Sequence, residues 1–444
     1  MSDVLEITGG VPLKGEVTVS GAKNAATKLL IASLLSDKKS VFSNVPNVTE
    51  ITATVDLCRE IGSIVEWDKE AKTIEIITPH IRTSFVPQRF SGANRIPILL
   101  LGPLLGRTRE KITLPVVGGC RLGKRPVDFH IEGVKALGAS VVYDEEREVY
   151  IAHNPKQLVG TIIELPYPSV GATENLIMAA VKAKGRTIIK NAASEPEIFD
   201  LILFLQKMGV QIFMDVSRTI HIFETHTFEE VQHTIISDRN QAASLAVAAL
   251  ATAGDVMIRG SYQRDLVTFL NVLRQMNAKF SVYDDGIRFF HTHPPRGNVH
   301  IETDVHPGFM TDWQQPFVVL LTQATGFSVV HETVYENRLG YIQTLKEMGA
   351  HIETFSQCLG NKSCRFNGRN HMHSAVIHGP TPLTRSTIAI PDLRGGFAYV
   401  MAALVAEGTS LISNLNYLDR GYENLETILA NLGASITRKS PLPV

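Results

Sequence analysis

With 444 residues, 44% of them hydrophobic and 20% charged, the chain has the composition of an ordinary globular protein and the length for more than one domain of the usual ~100–200 residues. Its net charge of −1 excludes a global drive toward nucleic acid or an anionic membrane, so any anion site has to come from local clustering. The acidic start (Asp3, Glu6), and a strongest apolar run (96–105) that holds two prolines and falls short of the ~20 residues of a membrane span, predict a cytoplasmic protein without membrane insertion, and four cysteines fit reduced thiols there.

Two patterns alternate along the chain. The first is an Ala- and Leu-rich helix, a turn and a β-rich strand: ASLLSDKKSVFSNVP (32–46), GPLLGRTREKITLPVV (102–117), AAVKAKGRTIIKNAA (179–193), AALATAGDVMIRGS (248–261), LLTQATGFSVVHETV (320–334) and AALVAEGTSLISNL (402–415). The second is a helix end, apolar-x-x-apolar-Gly, running into an alternating strand. It is centred on Gly62, Gly138, Gly209, Asn277, Gly349 and Gly433, at spacings of 76, 71, 68, 72 and 84 residues. Each Gly or Asn stands where a helix C-cap needs a left-handed residue. Six units this long predict two compact halves of three rather than a solenoid of short repeats, with a cleft between the halves as the default ligand site.

The segments that open the first helix of each unit are SGAKNAATKLL (20–30), SGANRIPILLL (91–101), PSVGATENLIM (168–178), SDRNQAASLAV (237–247), FMTDWQQPFVV (309–319) and PDLRGGFAYVM (391–401). Ser, Asp and Asn there read as N-caps. Lys23, Arg95, Arg239 and Arg394 sit at predicted helix starts, where the macrodipole is already positive and a cation is unfavourable. A bound phosphate or carboxylate removes that conflict, since free amides, dipole and side-chain cation then share one negative charge.

After the strand KITLPVV comes GGCRLGKRPVD (118–128), a loop combining a thiol with glycines and several cations. Gly118 to Lys124 fits most of the phosphate-loop pattern GxxxxGK[ST], but Arg125 replaces the magnesium-binding hydroxyl and Pro126 disfavours helix at that point, so a nucleoside-triphosphatase is not expected. Neighbouring cations and flexible glycines set Cys120 apart from a packing cysteine, leaving proton donor and nucleophile both open. Cys358, Cys364, His371 and His373 look like metal ligands, but their spacing matches no zinc pattern; His306 and His331 read as isolated histidines. No metal is expected.

Seven spaced motifs, SGAKNA (20–25), GGCRLGKRPVD (118–128), SVGAT (169–173), TDWQ (311–314), ETVYENR (332–338), PDLRGGFAYV (391–400) and LDRGYE (418–423), closely resemble the UDP-N-acetylglucosamine enolpyruvyl transferases of bacterial peptidoglycan synthesis, in that family's order and over nearly the whole chain. The resemblance implies an α/β (α+β) fold of two similar domains, each of three βαβαββ repeats in an inside-out barrel, with an interdomain active-site cleft. One domain would span 23–236 and carry the Cys120 loop; the other would be discontinuous, 1–22 with 237–444. It implies transfer of the enolpyruvyl group of phosphoenolpyruvate to the 3′-hydroxyl of UDP-N-acetylglucosamine with release of phosphate, without cofactor or metal.

By position, Lys23 looks like the family's phosphoenolpyruvate-binding lysine, helped by Arg125 and Arg420, whose guanidinium forks suit phosphate and carboxylate. Cys120 resembles the loop cysteine that donates a proton and forms adducts with phosphoenolpyruvate or fosfomycin. Asp312 resembles the carboxylate that accepts the hydroxyl proton, near Asp392 and Arg394. Asn24, Arg95, Arg125, Pro126, Val127, Asp128, Phe129, Ser169, Val170, Gly171, Asp312 and the backbone of Val334 match the sugar-nucleotide contacts.

The chain departs from the family at SDRNQAAS (237–244), at Tyr167-Pro168, at Thr49-Glu50 and at the second Gly of DLRGG, which bears on the nucleotide side rather than the chemistry. An enolpyruvyl transferase for another nucleotide or sugar acceptor, and a non-catalytic sugar-nucleotide sensor, are the alternatives. The Cys120 loop and DRGYE set the chain apart from the shikimate-pathway relative.

Overall fold

A computed structural model describes residues 3–92, 94–118, 127–361, 364–391 and 395–440. The chain forms two compact units, one from residues 21–118 and 127–236, the other from 3–20 and 237–440. Among the described residues no helix is long and apolar enough to cross a membrane.

Six inner helices carry the Ala- and Leu-rich segments: α1 (Lys23–Ala32), α2 (Leu101–Arg107), α3 (Val170–Ala180), α4 (Arg239–Ala251), α5 (Thr311–Gln323) and α6 (Gly395–Val405). A helix that is buried all round has no solvent face to offer and lies at the centre of its domain. α4 is the clearest case, buried from Arg239 through Leu250. In one unit α1, α2 and α3 pack together, in the other α4, α5 and α6.

Three sheets surround each trio, and all six share one topology. The strand that follows an inner helix lies between a parallel and an antiparallel neighbour: Arg186–Lys190 between Ile162–Glu164 and Ile220–Phe223, for example, or Gly326–His331 between His300–Glu302 and Ser374–Gly379. In the sheet of Ile112–Pro115 the parallel neighbour is reduced to a bridge from Phe85 to Thr113. The N-terminal strand Val4–Thr8 pairs with Thr409–Ser413 and Ser435–Lys439. Lys14–Thr18 runs parallel to Asp255–Arg259.

The six helix ends predicted from sequence all occur. Gly62, Gly138, Gly209, Asn277, Gly349 and Gly433 have φ of 125°, 103°, 91°, 56°, 107° and 96°. The amide of the residue after each bonds back to the last helical turn, as in Val210 N–H to Leu205 O (3.0 Å) and Ala350 N–H to Leu345 O (2.9 Å), which satisfies carbonyls the helix leaves over.

Candidate active site

The described residues singled out by sequence gather mostly at the starts of the inner helices. In the unit containing α1, Lys23 opens that helix, 8% exposed, with Nζ 4.0 Å from the Glu50 carboxylate. The conflict between cation and helix dipole is thus met in part from within the chain, by one of the two residues (Thr49-Glu50) that depart from the family. Lys28, one turn on, donates to the Asn24 carbonyl at 2.8 Å and lies 3.9 Å from Glu174 on α3. Ser169 caps α3 by accepting from Ala172 N–H at 3.4 Å. Arg95 does not start an α-helix as expected: a 3₁₀ turn, Ile96–Leu100, precedes α2, with Pro97 near its start.

His130, which sequence reasoning passed over, connects these pieces. It lies on the helix Asp128–Ala136, which follows Val127 and includes Phe129, and its Nδ1 accepts from Asn175 Nδ2 at 3.1 Å. Its ring lies so close to Gly171 that a Cβ there would sit 3.3 Å from Cε1. Burial, with the Arg95 charge, pushes the imidazole down to about 3, so it stays neutral at physiological pH. Its only sequence signal is its place beside the loop motif.

Glu174 follows SVGAT directly, is 1% exposed, and is pushed up to about 8 by burial, with Lys28 opposing and Glu197 and Glu195 reinforcing. A carboxyl that keeps its proton longer folded than unfolded stabilises fully below the unfolded value of 4.5, and that stability is lost as pH rises to about 8. Glu174→Gln should therefore gain on the parent protein between about pH 5 and about pH 8, by a few kcal/mol as an order of magnitude. Denaturant midpoints at the two pH values test this. A variant that loses ground as pH rises would show that the Lys28 pair dominates instead.

In the other unit Asp238 caps α4, accepting from Asn240 N–H (2.8 Å) and Gln241 N–H (3.2 Å), which contributes about 1 kcal/mol. The Arg239 guanidinium lies 5.8 Å from the Trp313 ring centre, and its Nη1 is 3.4 Å from His306 Nδ1, so His306 is not isolated. Asp312 stands in the first turn of α5 and accepts from Arg338 Nη2 at 2.6 Å, while the Arg338 side chain has no exposed surface. Pro316 has no N–H to offer the Asp312 carbonyl, which loosens the helix ladder at this residue.

Behind Asp312 lies Glu332, fully buried. It accepts from Thr311 Oγ1 (2.8 Å), Val334 N–H (2.8 Å) and Tyr335 N–H (3.0 Å), tying the start of α5 to the ETVYENR segment. Burial raises its pKa against the pull of Arg338 and these bonds. The Val334 carbonyl accepts from Arg365. Arg420 ends the short helix Asn416–Asp419 two residues before Tyr422, whose hydroxyl is 3.0 Å from Ser244 Oγ on α4 and whose ring stacks on Phe397 of α6 at 5.0 Å. Glu332 and Arg338 lay inside a recognised motif, but their bonding roles had no signature of their own.

Cys120, Arg125, Pro126, Asp392 and Arg394 lie outside the described residues. The reading of His331 as isolated needs correction: the fold places it with Cys358, Cys364 and His373, leaving His371 out. Strand pairing rather than sequence spacing brings these four together.

This layout, three inner helices per unit enclosed by sheets, is shared with a solved enolpyruvyl transferase, NikO from Streptomyces tendae. Its TM-score with this chain is 0.86 at 20% sequence identity, over 99% of each chain, which places the fold among the two-domain inside-out enolpyruvyl transferases. The family model for EPSP synthase (3-phosphoshikimate 1-carboxyvinyltransferase) matches residues 7–429, and the chain belongs to that family. It is 59% identical over 437 residues, 98% of this chain and 94% of the other, to the UDP-N-acetylglucosamine 1-carboxyvinyltransferase of Protochlamydia amoebophila (strain UWE25). It is also 57% identical to the protein of that name in Chlamydia abortus (strain DSM 27085 / S26/3), over 99% of both chains.

Proposed function

We propose that the chain transfers the enolpyruvyl group of phosphoenolpyruvate to the 3′-hydroxyl of UDP-N-acetylglucosamine, the first committed step of peptidoglycan synthesis, in the cytoplasm. The observation that carries this reading is the 59% and 57% identity, over nearly full length, to two proteins named for that reaction. Neither relative's name supports a different acceptor or a sensor.

Asp312 takes the proton of the 3′-hydroxyl as its oxygen bonds to C2 of phosphoenolpyruvate, and the Cys120 thiol delivers a proton to C3. The resulting phospho-ketal loses a proton from C3 as the bond from C2 to the phosphate oxygen breaks, which restores the double bond and frees phosphate. Lys23, Arg125 and Arg420 hold the phosphate and carboxylate of phosphoenolpyruvate, where fixed cations are most effective against developing charge. Asn24, Arg95, Val127, Asp128, Phe129, Ser169, Val170, Gly171 and Val334 contact the sugar nucleotide, with Pro126 shaping the loop and Asp392 and Arg394 supporting the Asp312 region. Arg338 supports the reading of Asp312 as a base because its bond fixes where that carboxylate points, while Glu332 holds the neighbouring Thr311.

A coupled assay tests this: phosphate should appear only when both substrates are present, and fosfomycin should suppress it. Cys120→Ala should lose most turnover while keeping sugar-nucleotide affinity. Undiminished turnover in that variant removes Cys120 as proton donor, and no phosphate release from the parent protein with both substrates rejects the assignment.

A further inference from the structure

Four side chains apart from the proposed substrate contacts converge in the unit formed by residues 3–20 and 237–440. His331 ends the strand Gly326–His331, Cys358 and Cys364 follow the strand His351–Phe355, and His373 precedes Ser374–Gly379, the strand that pairs with both. Their sulfur and ring-nitrogen atoms all lie within 4.8 Å of one another. Cys358 Sγ is 3.5 Å from Cys364 Sγ and 3.4 Å from His373 Nε2. A tetrahedral ion with bonds of about 2.3 Å to sulfur and about 2.0–2.1 Å to nitrogen sets sulfurs about 3.8 Å apart and sulfur and nitrogen about 3.5 Å apart. These two edges of the cluster are already near those lengths.

Two further observations point to a ligand. His331 is 0% exposed, and among the described residues neither of its ring nitrogens has a hydrogen-bond partner, although buried polar atoms nearly always find one. Glu302 comes to 3.8 Å from its Nδ1, too far for a hydrogen bond yet placed as the carboxylate that commonly backs a metal-bound histidine. His373 Nδ1 lies 2.8 Å from the His371 carbonyl, so Nδ1 carries the proton and the Nε2 lone pair faces Cys358.

We propose that His331, Cys358, Cys364 and His373 bind one zinc ion in a closed structural site. Two thiolates neutralise the divalent charge, which suits a buried position, and a tetrahedral set of two sulfurs and two nitrogens favours zinc over harder ions. Each thiol gives up its proton as the metal–sulfur bond forms. The ion ties together three chain segments immediately behind Glu332, whose N–H donates to the His373 carbonyl at 2.7 Å, and behind Arg365, which holds the Val334 carbonyl. Its consequence for the Val334 contact with the sugar nucleotide rests on the function proposed above; its presence does not.

The test is the zinc content of the full chain, purified under reducing conditions without chelator and measured by elemental mass spectrometry. About one zinc per chain is expected, falling at least tenfold in Cys358→Ser/Cys364→Ser and in His331→Asn, while Cys120→Ser keeps it. Cobalt loaded into the wild-type chain should give intense visible bands and sulfur-to-metal charge transfer, a reading that does not depend on how the variants fold. The proposal is overturned by a wild-type chain that takes up no zinc even on reconstitution, or by a Cys358–Cys364 disulfide in the freshly isolated protein. Metal content unchanged in the double variant overturns it as well. Because none of these measurements uses turnover, failure of the zinc site and failure of the assigned reaction are separable.

Discussion

Asp312→Asn is expected to lower kcat by about 10²–10⁴-fold while the protein still binds UDP-N-acetylglucosamine. Asparagine matches the carboxylate in size and keeps an oxygen to accept the 2.6 Å bond from Arg338, so the side chain stays where it is. What it cannot do is take a proton from the attacking hydroxyl. The fully buried Arg338 loses one anionic neighbour but keeps the charge influence of Glu332, which limits the stability loss to about 1–3 kcal/mol. Steady-state kinetics with calorimetric binding separate the two effects. A kcat within tenfold of the parent, or a change confined to KM, would leave Asp312 as a binding residue and place the base elsewhere.

Glu332→Ala should be the most damaging change to stability outside the apolar cores, on the order of 3–5 kcal/mol, and should carry kcat down with it. It strips partners from the Thr311 hydroxyl and from the amides of Val334 and Tyr335, and takes a carboxyl from the neighbourhood of buried Arg338. Glu332→Gln should cost about 1 kcal/mol or less: its oxygen still accepts from both amides, and its amide can donate to Thr311 once that hydroxyl rotates. Denaturant unfolding of the pair is the check. Equal losses in both variants would show that the negative charge, not the hydrogen bonds, is what Glu332 contributes. No loss in the alanine variant would mean that the start of α5 is held by other contacts.

The comparison of the two carboxylates shows how far the sequence could be read. Asp312 was singled out because the TDWQ motif carries it at a helix start, a local pattern. Glu332 stood twenty residues away in a second motif, and only the fold shows that its carboxyl closes on Thr311 beside Asp312. The same holds for Lys23, whose place at a helix start was legible, whereas its ion pair with Glu50 was not. His130 and Glu174 drew no attention because burial, which sets their pKa values, belongs to packing and leaves no mark on neighbouring residues.

By itself the sequence determined the six helix ends, the strands after them, the buried inner helices and, through seven motifs, the family. These follow from rules that act over one or two turns: a left-handed residue at a C-cap, alternation along a strand, apolar residues on every side of a core helix. Only the tertiary structure decided that Val4–Thr8 pairs with strands some four hundred residues on, that Arg95 precedes a 3₁₀ turn, and that His331, Cys358, Cys364 and His373 meet. Those outcomes depend on which strands share a sheet and in what register. Such pairings satisfy backbone hydrogen bonds between distant segments, and no local window of residues encodes them.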